Sequence, residues 1–189
     1  MQDEAARRSR ISGLEALLRE TATSGSPPVE RWNPPYCGDI GLRIRRDGTW
    51  TYRQSPIGRV ALVKLFARVL RKDADGRTYL VTPVEKVDVS VEDAPFLAVE
   101  MEVTGERAGQ LITLRTNLDD VVRIDAAHPL RFALDPASGG LKPYVLVRGR
   151  LEALFTRALY MDLVGLAIED GNGVPGVWSG GLRWPLSAD

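Results

Sequence analysis

Reactive side chains are scarce in this sequence. Its 189 residues hold one cysteine and one histidine. A lone Cys37 forms no internal disulfide, which points to the cytosol as its compartment. His128 has no second histidine or cysteine at ligand spacing, so a zinc centre is excluded. A Cys37–His128 nucleophilic pair would have to be assembled across half the chain with no supporting motif on either side. Beside Gly38, Cys37 reads as a small buried residue. Before Pro129, His128 reads as a turn residue donating a hydrogen bond.

An excess of charge is missing too. Lys plus Arg and Asp plus Glu number 25 each. A surface built for nucleic acid needs a basic footprint that this balance does not supply. No apolar run approaches the roughly 20 residues that span a bilayer. The N-terminal stretch MQDEAARRSRISGLEALLRE lacks an apolar segment with a cleavage site, so it is not read as a signal peptide. With 44% hydrophobic and 26% charged residues, what remains is a globular chain of one large or two small domains.

Ser12 and Glu15 are spaced as a capping box, giving a short N-terminal helix before residue 22. The stretch TSGSPPVERWNPP, residues 23–35, has four prolines and reads as a linker or extended arm. Then Ile40, Leu42 and Ile44 alternate with polar residues up to Asp47-Gly48, a hairpin signal. A two-residue turn would put Trp50 and Tyr52 on the arginine face. A three-residue loop over 46–48, with Gly48 as a bulge, pairs Ile44 with Trp50 and Leu42 with Tyr52. The second option buries aromatics with aliphatics and is preferred. It leaves Arg43, Arg45, Thr51 and Arg53 together on the opposite face.

Ser55 and Pro56 suit a helix start, and Leu62, Leu65, Phe66, Val69 and Leu70 follow helical spacing. From Thr78 to Thr116 the period is two, with Val87, Val89 and Val91, then Leu97, Val99, Met101 and Val103, on buried faces. Short strands are expected near 121–125 and 130–134, then PYVLVRGR as a strand. A second helix is read with Leu151, Leu154, Phe155, Ala158, Leu159, Leu163 and Leu166 as its apolar face. After it come a loop over 171–176 and a last strand in VWSGGLRWPL.

Two hexamers, LFARVL at 65–70 and LFTRAL at 154–159, are near copies, each on an expected helix opening with Gly-Arg. They suggest an internal duplication. Arg59 and Arg150, each preceded by glycine near a helix start, then become candidate anion contacts. The G-x-G-x-x-G of Gly171, Gly173 and Gly176 has a helix before it and Pro175 within it, so it is a loop rather than a dinucleotide fingerprint. Asp73, Asp75 and Gly76 lack the acidic ligands a calcium loop needs at its ends and read as a turn. Glu92 alternates outward with Asp88 and Ser90, whereas Glu85 shares parity with Val87 and reads as a salt-bridge or backbone-bonding carboxylate.

Three stretches carry a family resemblance: WNPPYCGDIGLRIRRDGTWTYRQSPIGRVALVKLF, YLVTPVEKVDVSVEDAPF and HPLRFALDPASGGLKPYVLVRGRLEALFTRALYMDLV. From Trp32 to Val164 the chain resembles the bacterial domain-of-unknown-function family 1285. The resemblance implies a duplicated α+β core with a C-terminal half similar to pleckstrin-homology folds. It also implies a nucleotide-like ligand at the seam between halves and a role in signalling; no enzymatic activity is established for the family, and no cofactor is expected. The positions assigned to that ligand are Trp50, Arg59, Glu85, Lys86, Asp93, His128, Tyr144 and Arg148. The helix-start reading adds Arg150. The fold class expected is α+β, two related halves each an antiparallel sheet plus a helix, divided as 1–22, 23–83 and 84–189. The function expected is a non-enzymatic ligand-binding or signalling module for a nucleotide-like or phosphorylated molecule. The alternative is an adaptor that binds a protein partner through the C-terminal half.

Overall fold

A computed structural model describes residues 27–169, 171 and 173–188. The helix expected before residue 22 lies outside them. The chain divides into two compact units, the first ending at Glu92 and the second beginning at Asp93.

The first unit begins with a 3₁₀ turn, Val29–Arg31, within the proline-rich arm. Arg71, only 8% exposed, holds that arm down. Its guanidinium donates to the carbonyls of Val29 (2.8 Å) and Trp32 (2.7 Å) and pairs with Asp73. The stretch read as a linker is therefore fastened to the sheet. Three strands follow as a meander: β1 (Tyr36–Ile44), β2 (Trp50–Tyr52) and β3 (Ser55–Pro56). Leu42 faces Tyr52 and Ile44 faces Trp50, the register of the three-residue loop, with Gly48 at φ +81. Helix α1 (Val60–Ala67) comes next. Its N-cap, Arg59, makes no capping hydrogen bond, so burial of Leu62, Val63, Phe66 and Ala67 holds it. Burying Phe66 alone contributes about 1.5–3 kcal/mol. A second meander completes the unit: β4 (Leu70–Lys72), β5 (Thr78–Val81) and β6 (Lys86–Val91).

The six strands form one sheet in the order β3-β2-β1-β6-β5-β4, in which the central pair, β1 and β6, is parallel. The core contains Leu42, Ile44, Trp50, Phe66, Leu80 and Val87.

The second unit repeats this wiring. A meander of β7 (Phe96–Thr104), β8 (Leu111–Thr116) and β9 (Val121–Arg123) is followed by β10 (Leu130–Leu134), β11 (Leu141–Arg148) and β12 (Leu151–Phe155). The order is β9-β8-β7-β12-β11-β10, and the central pair, β7 and β12, is again parallel. Helix α2 (Arg157–Gly165) leaves β12 through Thr156, whose side chain accepts from the Leu159 N–H as an N-cap. Three short strands end the chain: β13 (Ile168–Glu169), β14 (Pro175–Ser179) and β15 (Leu182–Pro185). The fully buried Ser179 hydroxyl ties β14 to the sheet, donating to the Ile124 carbonyl (2.6 Å) and accepting from the Ile112 N–H (2.9 Å).

Several expectations are corrected. The halves are sheet-rich, with two short α-helices among the described residues, and each six-stranded sheet is mixed rather than antiparallel. The first half extends beyond residue 83, because β6 pairs with β1 and β5 in the first sheet. Ser55 and Pro56 are an edge strand opposite Thr51 and Tyr52, where proline's missing N–H costs no ladder bond. The repeated hexamers fall on different elements: Leu65, Phe66 and Ala67 close α1, whereas Leu154 and Phe155 end β12. Leu151, Ala153 and Phe155 are buried in alternation, the strand period rather than the helical one. Duplication is thus carried by the sheet wiring and not by the hexamer. Of β7, Phe96 and Ala98 are the buried side chains, whereas Leu97 and Val99 are half-buried on the other parity. A register irregularity between Ala98 and Glu100 keeps Met101 and Val103 on the core face, opposite Leu114 and Ile112, but Met101 is only half-buried and Val103 is exposed. Cys37 is exposed, not buried.

Candidate functional site

Alternation along β1 sends Ile40, Leu42 and Ile44 to the core and turns Arg43 and Arg45 outward. The neighbouring strands complete a row across the sheet. Arg43 is the partner of Thr51 on β2 and of Ser90 on β6, and Thr51 in turn faces Pro56 on β3. Flanked in this row by Pro56 and Arg43, Thr51 is 1% exposed although it points away from the core.

The turn from β2 to β3 adds the remaining wall. Arg53 and Gln54 are its two central residues, at φ +44 and +72. Two consecutive positive φ values are the geometry of a tight hairpin turn that usually employs Asn-Gly. Gly41 makes room for it. Gly41 sits at φ +85, its carbonyl accepts from the Arg53 N–H (2.7 Å), and a Cβ there would lie 2.9 Å from the Arg53 Cγ. Asp39 shapes the adjoining backbone by accepting the Gly41 N–H through Oδ1 (2.7 Å).

These residues enclose a depression of about 280 Å³. Asp39, Gly41, Leu42, Arg43, Arg45, Thr51, Arg53, Gln54 and Ser90 line it. Three guanidiniums face one carboxylate. Glu92 stands 4.0 Å from Arg43 and also accepts the Arg46 N–H, so it offsets the basic face at one margin. Arg53 is also 5.6 Å from the centre of the Tyr52 ring. Chemically, a groove of this charge is suited to an anion, and its neutral hydroxyl and amide groups add hydrogen-bonding capacity. None of its walls is a histidine or lysine placed to take a proton from Ser90 or Thr51.

The residues assigned to a ligand from the sequence fall in both units, Trp50, Arg59, Glu85 and Lys86 in the first and Asp93, His128, Tyr144, Arg148 and Arg150 in the second. Trp50 is 2% exposed and packs on Phe66, with ring centres 6.3 Å apart, so it offers no stacking face. Its Nε1 and the Tyr52 hydroxyl are buried without a hydrogen-bond partner among the described residues. Arg59 caps α1. Glu85 lies in the turn before β6, where its N–H donates to the Thr82 hydroxyl. Lys86 pairs with Asp73 and lies 4.4 Å from the Tyr79 ring centre.

In the second unit, Tyr144 donates to Asp93 (2.7 Å), which Lys142 also contacts, while Arg131 stacks 4.3 Å from the Tyr144 ring centre and pairs with Glu152. Burial and the bond to Asp93 push the Tyr144 phenol above its ordinary range. Burial opposes the Lys142 ammonium, yet Asp93 and Tyr144 outweigh it and hold Lys142 above its ordinary value. The network is internally satisfied. His128 donates from Nδ1 to the Leu146 carbonyl (3.0 Å), as a turn residue. Arg148 pairs with Asp120 at 2.6 Å. Arg150 follows Gly149 in the turn between β11 and β12, not at a helix start. Within the second unit, Asp93 and Tyr144 are in contact.

The groove was marked in the sequence by Arg43, Arg45 and Arg53. Asp39, Gln54 and Ser90 were not. Ser90 arrives through a parallel pairing with a strand far away in sequence, and Gln54 through a turn whose residues carry no turn signal.

Residues 27–94 match the model of the N-terminal domain of DUF1285, a domain of unknown function, and residues 95–186 match that of its C-terminal domain. Among solved structures, a DUF1285 family protein from Silicibacter pomeroyi DSS-3 is 45% identical, with a TM-score of 0.86 over 93% of this chain and 94% of that one. Another from Shewanella baltica OS155 is 29% identical, with a TM-score of 0.53 over 67% of this chain and 91% of that one. No curated protein matches.

Proposed function

The chain belongs to the DUF1285 family, and we propose that it is a binding module whose first unit holds a phosphorylated small molecule in the groove of Arg43, Arg45 and Arg53. The observation that carries this reading is the convergence of those three arginines on one walled depression. Guanidinium groups bind phosphate through paired, charge-assisted hydrogen bonds. Their side chains lie on one sheet face and on a turn fixed to it, so little ordering is left for the ligand to bring about. Binding would tie β1, β2 and the following turn together, which is how occupancy can be passed on as a signal.

Thermal denaturation of the full chain with sugar phosphates, nucleotides and cyclic dinucleotides tests this. A ligand present at 100 times its dissociation constant adds about 2.7 kcal/mol and raises Tm. Replacing Arg43, Arg45 or Arg53 singly by Gln should weaken binding by about tenfold each, the loss of one charge-assisted hydrogen bond of at least 1.4 kcal/mol. Absence of any shift with every phosphorylated compound refutes the reading.

A further inference from the structure

Resting on that reading of the groove, we infer that its ligand is a small phosphorylated polyol, of sugar monophosphate size, and that Asp39 selects it by accepting a ligand hydroxyl. Four features of the walls lead to this. The first is charge. Three guanidiniums and one carboxylate line the groove, and Glu92 offsets Arg43 at one margin, so the surplus is between one and two positive charges. A phosphomonoester carries about −1.5 to −2 at pH 7 and matches that surplus. A diphosphate exceeds it and brings its outer charge toward Asp39.

The second is size. The depression, about 280 Å³, lies just below the range of roughly 300–1,000 Å³ for small-molecule sites. A dinucleotide would extend well beyond its walls. The third is what the walls lack. No aromatic ring is among the nine lining residues, and Leu42 is their one large apolar side chain. A nucleobase depends on a stacking partner for much of its affinity. Trp50 and Tyr52, the nearest aromatics in sequence, are turned into the core and buried.

The fourth is Asp39 itself. Its Oδ1 is committed to the Gly41 N–H, which fixes the carboxylate on the rim of an otherwise basic site. A carboxylate accepts and does not donate, so it repels a bare phosphate and attracts a hydroxyl proton. The exposed Ser90 hydroxyl and Gln54 amide complement further ligand hydroxyls. A molecule with phosphate at one end and hydroxyls at the other satisfies both signs of charge at once. Inorganic phosphate and pyrophosphate satisfy one.

Calorimetric titration of the full chain with ribose 5-phosphate, inorganic phosphate, pyrophosphate and adenosine monophosphate tests the inference, repeated with Asp39→Asn. Asparagine keeps an oxygen for the Gly41 N–H, so the loop is preserved. Ribose 5-phosphate should bind at least tenfold more tightly than phosphate or pyrophosphate, and no less tightly than adenosine monophosphate. In Asp39→Asn that preference over pyrophosphate should fall about tenfold, with pyrophosphate gaining affinity. Pyrophosphate or adenosine monophosphate binding the native chain more tightly than ribose 5-phosphate overturns the inference, as does an unchanged ratio in Asp39→Asn. Both results leave the phosphate groove standing. If none of the four compounds binds, the groove reading falls and the inference with it.

Discussion

Single residues show how much of the charge in this chain is committed to structure. Tyr79 is 3% exposed and donates to Asp75 at 2.6 Å. That hydrogen bond, with burial, pushes the phenol up to about 12 from its ordinary value of 10.0. The folded state therefore holds this proton more tightly than the unfolded chain does. Its contribution is complete below pH 10 and is lost as pH rises toward 12. Between those limits Tm of the native chain should fall more steeply than that of Tyr79→Phe, which has no proton to lose. A phenolate absorbance titration in the folded state should show the late-ionising tyrosine in the native chain and lack it in the variant. Asp73 has the opposite sense. Burial resists its charge, but Arg71 and Lys86 prevail and hold it below the ordinary carboxylate range.

At the scale of elements, the β2–β3 turn sets stability against the proposed binding. Arg53 and Gln54 both occupy left-handed backbone, a conformation that costs about 1–2 kcal/mol per residue for ordinary side chains. Replacing the pair by Asn-Gly should raise stability by about 1 kcal/mol, since glycine's entropy offsets part of the relief. Urea denaturation reads that gain. The same variant should lose at least tenfold in affinity for ribose 5-phosphate, because Arg53 is removed.

What the sequence disclosed about the elements follows the same physics. The β1–β2 register was legible because an aspartate–glycine pair and a period of two pointed to one answer. The strand Leu151–Phe155 was misread because Leu151, Leu154 and Phe155 also satisfy helical spacing, and a five-residue window contains too few positions to separate the periods. Ser55-Pro56 carries the same signal for a helix cap as for an edge strand after a turn. Half of the groove was visible as an arginine face. The rest required knowing that Ser90 lies beside Arg43, a pairing that no local pattern encodes.

Across the whole molecule, two sheets with the same strand order each enclose their own core. Among the described residues no helix is long and apolar enough to cross a membrane. The helix holds different places in the two units. In the first it connects the two meanders, and in the second it follows the completed sheet. Because the sheet, the core and the arginine groove of the first unit come from residues before Asp93, a fragment spanning 27–94 should fold by itself. A cooperative urea transition and dispersed amide resonances would demonstrate it, and ribose 5-phosphate should shift the resonances of Arg43 and Thr51.

The parallel pair at the centre of each sheet also governs the order of events during synthesis. β1 is made first but finds its central neighbour only when β6 has been translated, and β7 waits likewise for β12. Until then each nascent half presents an unpaired edge beside apolar side chains, the situation that slows folding and invites association between chains. Assembly therefore proceeds in two closures, one available once residue 91 has left the ribosome and the other only after residue 155, so the half that carries the arginine groove can be finished while its sister is still being made.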